Sequence, residues 1–243
     1  MKVVAIVQAR MGSTRLPGKV LQDLEGQTML ARVIERVRRA RRISELLIAT
    51  TDRPADDAIV EECASCSVPV FRGDQEDVLD RYFRAARMAA AEVVVRVTSD
   101  CPLIDPEITD NTIAAFLEAR PDYASNALVR TYPRGLDTEV MSLDALARAW
   151  QEARKPYERE HVTPYIYEHP AEFRLLSVTG DVDHSGHRWT VDTPEDLEFV
   201  RAIYARFEPT APFSWRDVLE VIDREPALAE LNRSVLQKAL QER

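Results

Sequence analysis

The 243-residue chain reads as a three-layer α/β fold: a mostly parallel sheet with helices on both faces and a smaller α+β excursion. Three observations predict it. Short apolar runs at residues 3–7, 46–50, 68–72 and 92–97 lack alternation, as strands covered on both faces do. Segments of helical period separate these runs, with connections of a few residues, and this βαβαβαβ rhythm builds a parallel sheet through right-handed crossovers. Beyond Arg120 the pattern turns to alternation and short turns, which marks the excursion.

The first strand leads into the densest chemistry of the chain. After residues 3–7 the backbone leaves the sheet at the strand's carboxyl end, the edge where open α/β folds place ligands. The loop that follows holds Ala9, Arg10, Gly12, Ser13, Thr14, Arg15, Gly18 and Lys19. Glycine lets backbone approach a ligand, hydroxyls and amides donate hydrogen bonds, arginine forks match phosphate oxygens, and lysine adds a point charge. This is the composition of a polyphosphate cradle, although neither G-x-G-x-x-G nor G-x-x-x-x-G-K-[ST] is present. The alternative is a solvated basic loop that joins strand to helix.

Leu30, Val33, Ile34 and Val37 recur at helical spacing, so residues 29–40 form an amphipathic helix. Its far end carries Arg36, Arg38, Arg39, Arg41 and Arg42, read as a solvated face, with a nucleic-acid patch as the sharper alternative. Thr51, Asp52 and Pro54 turn the second strand into a helix that runs to about residue 66. Arg72 and Gly73 close the third strand, and a helix spans residues 78–91. The fourth strand ends in Thr98, Ser99 and Asp100, which puts an acid at the same sheet edge as the opening loop and makes Asp100 a metal-ligand candidate. Asp105 precedes Pro106 and is expected to cap the next helix.

In the excursion, residues 123–128 and 136–141 read as strands, the second including Asp137 and Glu139, and Ser142 starts a helix. Residues 157–169 read as an amphipathic segment with Val162, Tyr165 and Ile166 inward, and residues 173–179 and 188–192 as two more strands. Arg134 lies between Pro133 and Gly135, a stiffened position that suits gripping an anion, or serving as a surface turn. His161 is a base near a substrate hydroxyl or a structural imidazole. Asp192 ends the last strand and is the second metal-ligand candidate, while Thr193 with Asp196, and Ser214 with Asp217, are capping pairs. The tail is amphipathic and reads as a packing or subunit arm.

Length sets one domain over residues 1–243, with 208–243 as a C-terminal helical arm. A net charge of −9 argues against an extended nucleic-acid surface. No segment approaches the roughly 20 apolar residues of a membrane span, and no run resembles a signal peptide, so the expected place is the cytoplasm. Cys63 and Cys66 form a C-x-x-C within a helical pattern and lack a second pair for zinc. His184 and His187 read as loop histidines.

Three separated motifs carry a resemblance. They are A-R-x-x-S-T-R-L-P-G-K-x-L at residues 9–21, D-C-P-L-I-D-P at 100–106 and V-D-T-P-E-D-L at 191–197. Together they resemble the cytidylyltransferases that make CMP-activated sugar acids, the CMP-3-deoxy-manno-octulosonate and CMP-sialate synthetases. G-D-Q-E-D-V-L-D-R-Y at 73–82 and E-R-E-H-V-T-P-Y at 158–165 resemble the spore coat polysaccharide biosynthesis branch. The resemblance covers nearly the whole chain. It implies the sheet of nucleotide-diphospho-sugar transferases, a site for CTP and Mg²⁺ and a sugar-acid acceptor; a homodimer built through the excursion and the tail is a separate expectation. The resemblance further implies that Arg10, Ser13, Arg15 and Lys19 hold the triphosphate, with Ala9, Gly12, Arg72, Gly73 and Ser99 also at the nucleotide. Asp100 and Asp192 would hold the metal, and Arg134, Asp137, Glu139 and His161, within residues 121–190, would meet the acceptor. Two positions depart from the pattern: Gln8 stands where the octulosonate enzymes commonly have proline, and Ser99 where many relatives have glycine. A nucleotide-sugar-dependent glycosyltransferase is the second enzyme class, opposed by the missing D-x-D pair. A non-catalytic nucleotide- or nucleic-acid-binding protein is the third reading.

Overall fold

The computed structural model describes residues 1–208 and 211–238; residues 209–210 and 239–243, part of the predicted arm, lie outside the described residues. Four strands are parallel: β1 (Val3–Gln8), β2 (Glu45–Thr51), β3 (Val70–Gly73) and β4 (Val93–Thr98). Their side chains are divided between two cores. Val3, Ala5 and Val7 enter one while Val4 and Ile6 enter the other, which is why the runs show no polar alternation. Helices α1 (Met29–Arg38), α2 (Asp57–Ser65) and α4 (Pro106–Ala119) cover the first face. Helices α3 (Val78–Met88), α5 (Leu143–Glu152) and α7 (Pro164–Glu168) cover the second, with α6 (Pro156–His161) packed against α3. Side chains cap four of these starts: Thr28 for α1, Asp77 for α3, Asp105 for α4 and Ser142 for α5.

The excursion extends the same sheet. Strands β5 (Tyr123–Ser125), β6 (Glu139–Ser142) and β7 (Leu175–Ser177) complete a seven-stranded order β3-β2-β1-β4-β6-β5-β7, with β6 antiparallel to both its neighbours. The register places Glu139 opposite Arg96. A third core forms where α8 (Pro194–Tyr204) and α9 (Trp215–Arg224), followed by α10 (Ala227–Glu230), enclose Leu24, Leu103, Leu136, Trp189 and Val191. The C-terminal helices are therefore packed into the body.

Several expectations shift. Residues 188–192 are not a strand: only a single bridge joins Arg134 to Arg188, and Trp189 and Val191 are apolar because they face the third core. Residues 126–128 and 136–138 leave the sheet, where the Asn126 side chain binds the Leu136 carbonyl and the Thr138 amide, each at 2.8 Å. The segment 157–169 is broken into two short helices at Val162 and Pro164. Of the arginines read as one solvated face, Arg36 is buried, its Nε donating to the Ile104 carbonyl at 2.6 Å beneath the Phe213 ring.

Candidate active site

Backbone geometry explains the opening loop. The Ala9 amide still bonds to Ala49 across the sheet at 3.1 Å, so the chain turns away only after a buried residue. The Ser13 and Gly18 amides then both donate to the Met11 carbonyl, at 2.9 and 3.0 Å, folding residues 11–18 into a closed loop. Asp56 holds its base, accepting from the Met11 amide at 2.7 Å and from the Thr51 hydroxyl. Gly18, at φ 68°, starts a 3-10 turn, Lys19–Leu21, that buries Lys19. Gly12 is exposed, and a Cβ there would meet nothing within 4 Å, so neither packing nor a positive φ accounts for it. An open approach to backbone is what a ligand at this loop would use.

Lys19 is the meeting point of the site. Its ammonium lies 2.9 Å from Asp100 Oδ2, 2.9 Å from Asp192 Oδ1 and 2.7 Å from the Val191 carbonyl, so all three donors are engaged. Burial opposes the charge on Lys19, but the two carboxylates outweigh it and raise its pKa. Burial likewise pulls the Asp100 carboxyl upward, while the Lys19 ammonium and the Thr98 hydroxyl hold it below its usual range. Asp192 Oδ2 takes Arg15 at 3.0 Å and Arg188 at 2.9 Å. The structure thus brings Arg15, Lys19, Asp100 and Asp192 together. Arg10 stands to one side, 3.6 Å from Glu160 of α6, and bridges the loop to the excursion.

The other expected residues fall into two groups. Arg72 and Gly73 close β3 on the same edge, but the Arg72 guanidinium is occupied by the Thr51 and Arg53 carbonyls and by Asp57 at 2.7 Å. Ser99 is buried, its amide bonded to the Gln8 carbonyl at 3.1 Å, and Ser13 Oγ accepts from the Leu16 amide at 3.3 Å. In the excursion, Asp137 is held bidentately by Arg130 at 2.5 and 2.8 Å. Glu139 is buried with both oxygens engaged, by Arg96 on one and by Tyr123 and Thr163 on the other. Arg134 is half-buried beside Arg188, and burial, then the neighbouring Arg130, lowers its pKa. His161 ends α6 next to Glu160, on the side of the loop marked by Arg10.

Asp100 and Asp192 fit a hard divalent cation. Magnesium takes one or two carboxylates and leaves its other positions to water and substrate phosphates. A shared ammonium shows that one cation can sit between the two acids. Among the described residues no group of three or more His, Cys, Asp or Glu forms a cage of its own.

Sequence reading missed three contributors. In the sequence pattern Arg188 is only the start of a strand, yet it binds Asp192 and, through Nε at 2.9 Å, Asp196. Asp196 does more than cap α8, since it also accepts from the Asp192 amide and from Asn232, both at 2.9 Å. Arg96, a lone cation inside a valine run, carried the visible signal, because a buried charge requires a partner.

The sequence model of a family described as Cytidylyltransferase matches residues 4–237. The chain is 34% identical over 234 residues to the spore coat polysaccharide biosynthesis protein SpsF of Bacillus subtilis, covering 93% of this chain and 96% of that protein. It is 34% identical over 244 residues to the 3-deoxy-manno-octulosonate cytidylyltransferase of Anaeromyxobacter dehalogenans, covering 84% and 98%. Among solved structures, a cytidylyltransferase from Leptospira borgpetersenii superposes with a TM-score of 0.92 at 36% identity, covering 98% of this chain and 100% of that one.

Proposed function

Because this chain belongs to the cytidylyltransferase family, we propose that it transfers CMP from CTP to a hydroxyl of a sugar acid or related polyol, with release of pyrophosphate. The product would feed a surface polysaccharide or glycan. The observation that carries this reading is Lys19 joined to Asp100 and Asp192 at the mouth of a loop holding Arg10 and Arg15. Four cations and two acids at one sheet edge, Arg188 included, suit a triphosphate with its metal. The names of the Bacillus and Anaeromyxobacter relatives support the polysaccharide and sugar-acid parts of the reading.

In the reaction, the acceptor oxygen attacks the α-phosphorus in line, the bond to the β-phosphate oxygen breaks, and the hydroxyl proton passes to solvent or a nearby base. Arg10, Arg15 and Lys19 offset charge on the leaving pyrophosphate, exposed Gly12 lets the phosphates approach the loop, and the Ser13 hydroxyl can donate to them. Mg²⁺, held by Asp100 and Asp192, would supply Lewis-acid stabilisation of the phosphate oxygens. Arg72, Gly73 and Ser99 border the nucleoside, and residues 121–190, with Arg134 and His161, present the acceptor. The homodimer and the cytoplasm, where nucleoside triphosphates are available, complete the proposal. Among the described residues no helix is long and apolar enough to cross a membrane.

The test is pyrophosphate release from each of the four nucleoside triphosphates with Mg²⁺ and a panel of sugar acids, with sedimentation equilibrium for the dimer. Release confined to CTP plus a sugar acid is expected. Release from none, or from a triphosphate without any acceptor, overturns the reading.

A further inference from the structure

The second face of the sheet hides a charged network that the nucleotide reaction does not use. Arg96 of β4 and Glu139 of β6 are register partners and form a buried ion pair. Arg96 also donates to Gln8 Oε1 at 3.2 Å, at the end of β1 where the nucleotide loop begins. The other Glu139 oxygen accepts from Tyr123 at 2.5 Å and from Thr163 at 2.6 Å. With both oxygens taken inside the protein, Glu139 has no carboxylate face to offer a substrate.

Thr163 lies in a strained turn. Val162 has φ 74° and ψ −55°, and the Thr163 amide donates to the His161 carbonyl at 2.9 Å, which closes a γ-turn of the rare positive-φ form. Val162 is β-branched and fully buried, so its own side chain does not favour this conformation. Strain of this kind persists only where surrounding contacts over-determine it, and it clusters at functional sites. Among the contacts that hold the turn, the buried side-chain one is the Thr163 hydroxyl on Glu139. The residue that precedes the turn, and whose carbonyl closes it, is His161.

We infer that the Arg96–Glu139 pair is the positioning core of the acceptor half-site, setting the Gln8 amide from one side and the His161 imidazole from the other. The inference rests on the proposed transfer to a sugar acid and names what that half-site recognises. Because Arg96 occupies Gln8 Oε1, the half of the amide left for a ligand is its NH₂, which has no partner among the described residues. A donor at that place selects an oxygen acceptor, the carboxylate or a hydroxyl oxygen of the sugar acid. Gln8 is therefore the specificity-determining residue of the pair, and Glu139, Arg96 and Thr163 are positioning residues.

Thr163→Val removes the donor while keeping nearly the same shape, and Thr163→Ser restores it. In Thr163→Val the KM for the best sugar acid of the panel is expected to rise about fivefold to tenfold, the effect of one hydrogen bond, with the KM for CTP unchanged and recovery in Thr163→Ser. Tyr123→Phe, which removes the second donor to the same oxygen, gives the same split and stands in if Thr163→Val does not fold. The chain has four histidines, so ¹⁵N-histidine spectra read the positioning directly. The His161 signals should shift or broaden in Thr163→Val while those of His169, His184 and His187 hold still. Unchanged His161 signals, or a CTP KM that rises in parallel with the acceptor's, overturns the inference. A wild-type protein inactive with every sugar acid would overturn the proposed reaction instead, and the histidine spectra would still decide whether Glu139 positions His161.

Discussion

Lys19 has three N–H donors and all three are satisfied without a ligand, by two carboxylates and a carbonyl. A triphosphate that recruits this ammonium must therefore exchange with a carboxylate, and a metal is the group that can take the carboxylate over. Asp100→Asn keeps the side chain's shape and a carbonyl oxygen for Lys19 but removes the charge a metal needs. Turnover should fall on the order of a few hundredfold, equivalent to about 3 to 4 kcal/mol, and the melting temperature should fall as well, because the neutral amide loses the ion pair with Lys19; pyrophosphate release and thermal melting check both. Lys19→Ala should lose similar activity and also stability, since it leaves two acids facing each other. The same cluster sets a pH prediction. The Asp100 carboxyl sits below its ordinary value, so its contribution is present above about pH 4 and is lost as pH falls through the lower folded value. Lys19 sits above its ordinary value, so its contribution is complete below about pH 10 and is lost as pH rises through the higher folded value. Between those limits the cluster should add no slope to melting temperature against pH, which a melting series across that window measures.

Among the elements, the turn at Gly135 holds the two halves of the site in register. Gly135 has φ 110°, and a Cβ there would come within 2.6 Å of the Thr190 nitrogen and the Trp189 carbonyl carbon. Those are backbone atoms and cannot swing aside. Just beyond them, the Val191 amide donates to the Asp100 carbonyl at 2.8 Å, so displacement at Thr190 reaches both metal-ligand candidates. Gly135→Ala should cost about 2 to 4 kcal/mol, combining positive-φ strain with overpacking, and should lower turnover more than a surface change of equal cost; urea unfolding with parallel assays separates the two. Sequence had reached Gly135 only as a stiffener of Arg134. Strands β1 to β4 were legible because a strand buried on both faces leaves a continuous apolar run. Residues 188–192 were misread for the same reason, since Trp189 and Val191 are equally apolar but face helices α8 and α9. Asp100 and Asp192 were legible as charges at the ends of apolar runs, and Lys19 as a cation of the loop that follows the first run. The part Arg188 plays was not, because it depends on partners that only the fold brings within reach, and Glu139, expected to meet the acceptor, spends both oxygens on Arg96, Tyr123 and Thr163.

At the scale of the whole molecule, the far end of the chain comes back to the nearest part of the site. Asn232, only 4% exposed, donates to the Arg188 carbonyl and to Asp196 Oδ1, both at 2.9 Å. Asp196 in turn receives the Asp192 amide and the Arg188 guanidinium, and Arg188 grips the Asp192 carboxylate. The C-terminal segment therefore fixes the orientation of an acid that faces Lys19 from the other side. Gln237 also reaches Arg188, at 2.7 Å, but it does so in the open, where one hydrogen bond exchanges readily with water. The two contacts should separate sharply on substitution. Asn232→Ala leaves a buried carbonyl without this donor and strips one from Asp196, so it should cost about 1 to 3 kcal/mol, lower the melting temperature by several degrees, and reduce turnover by loosening Asp192. Gln237→Ala should change neither by a measurable amount. Melting curves and pyrophosphate release on the two variants side by side make the comparison, and equal losses in both would mean that the tail acts by covering the site rather than by orienting Asp192 through Asn232.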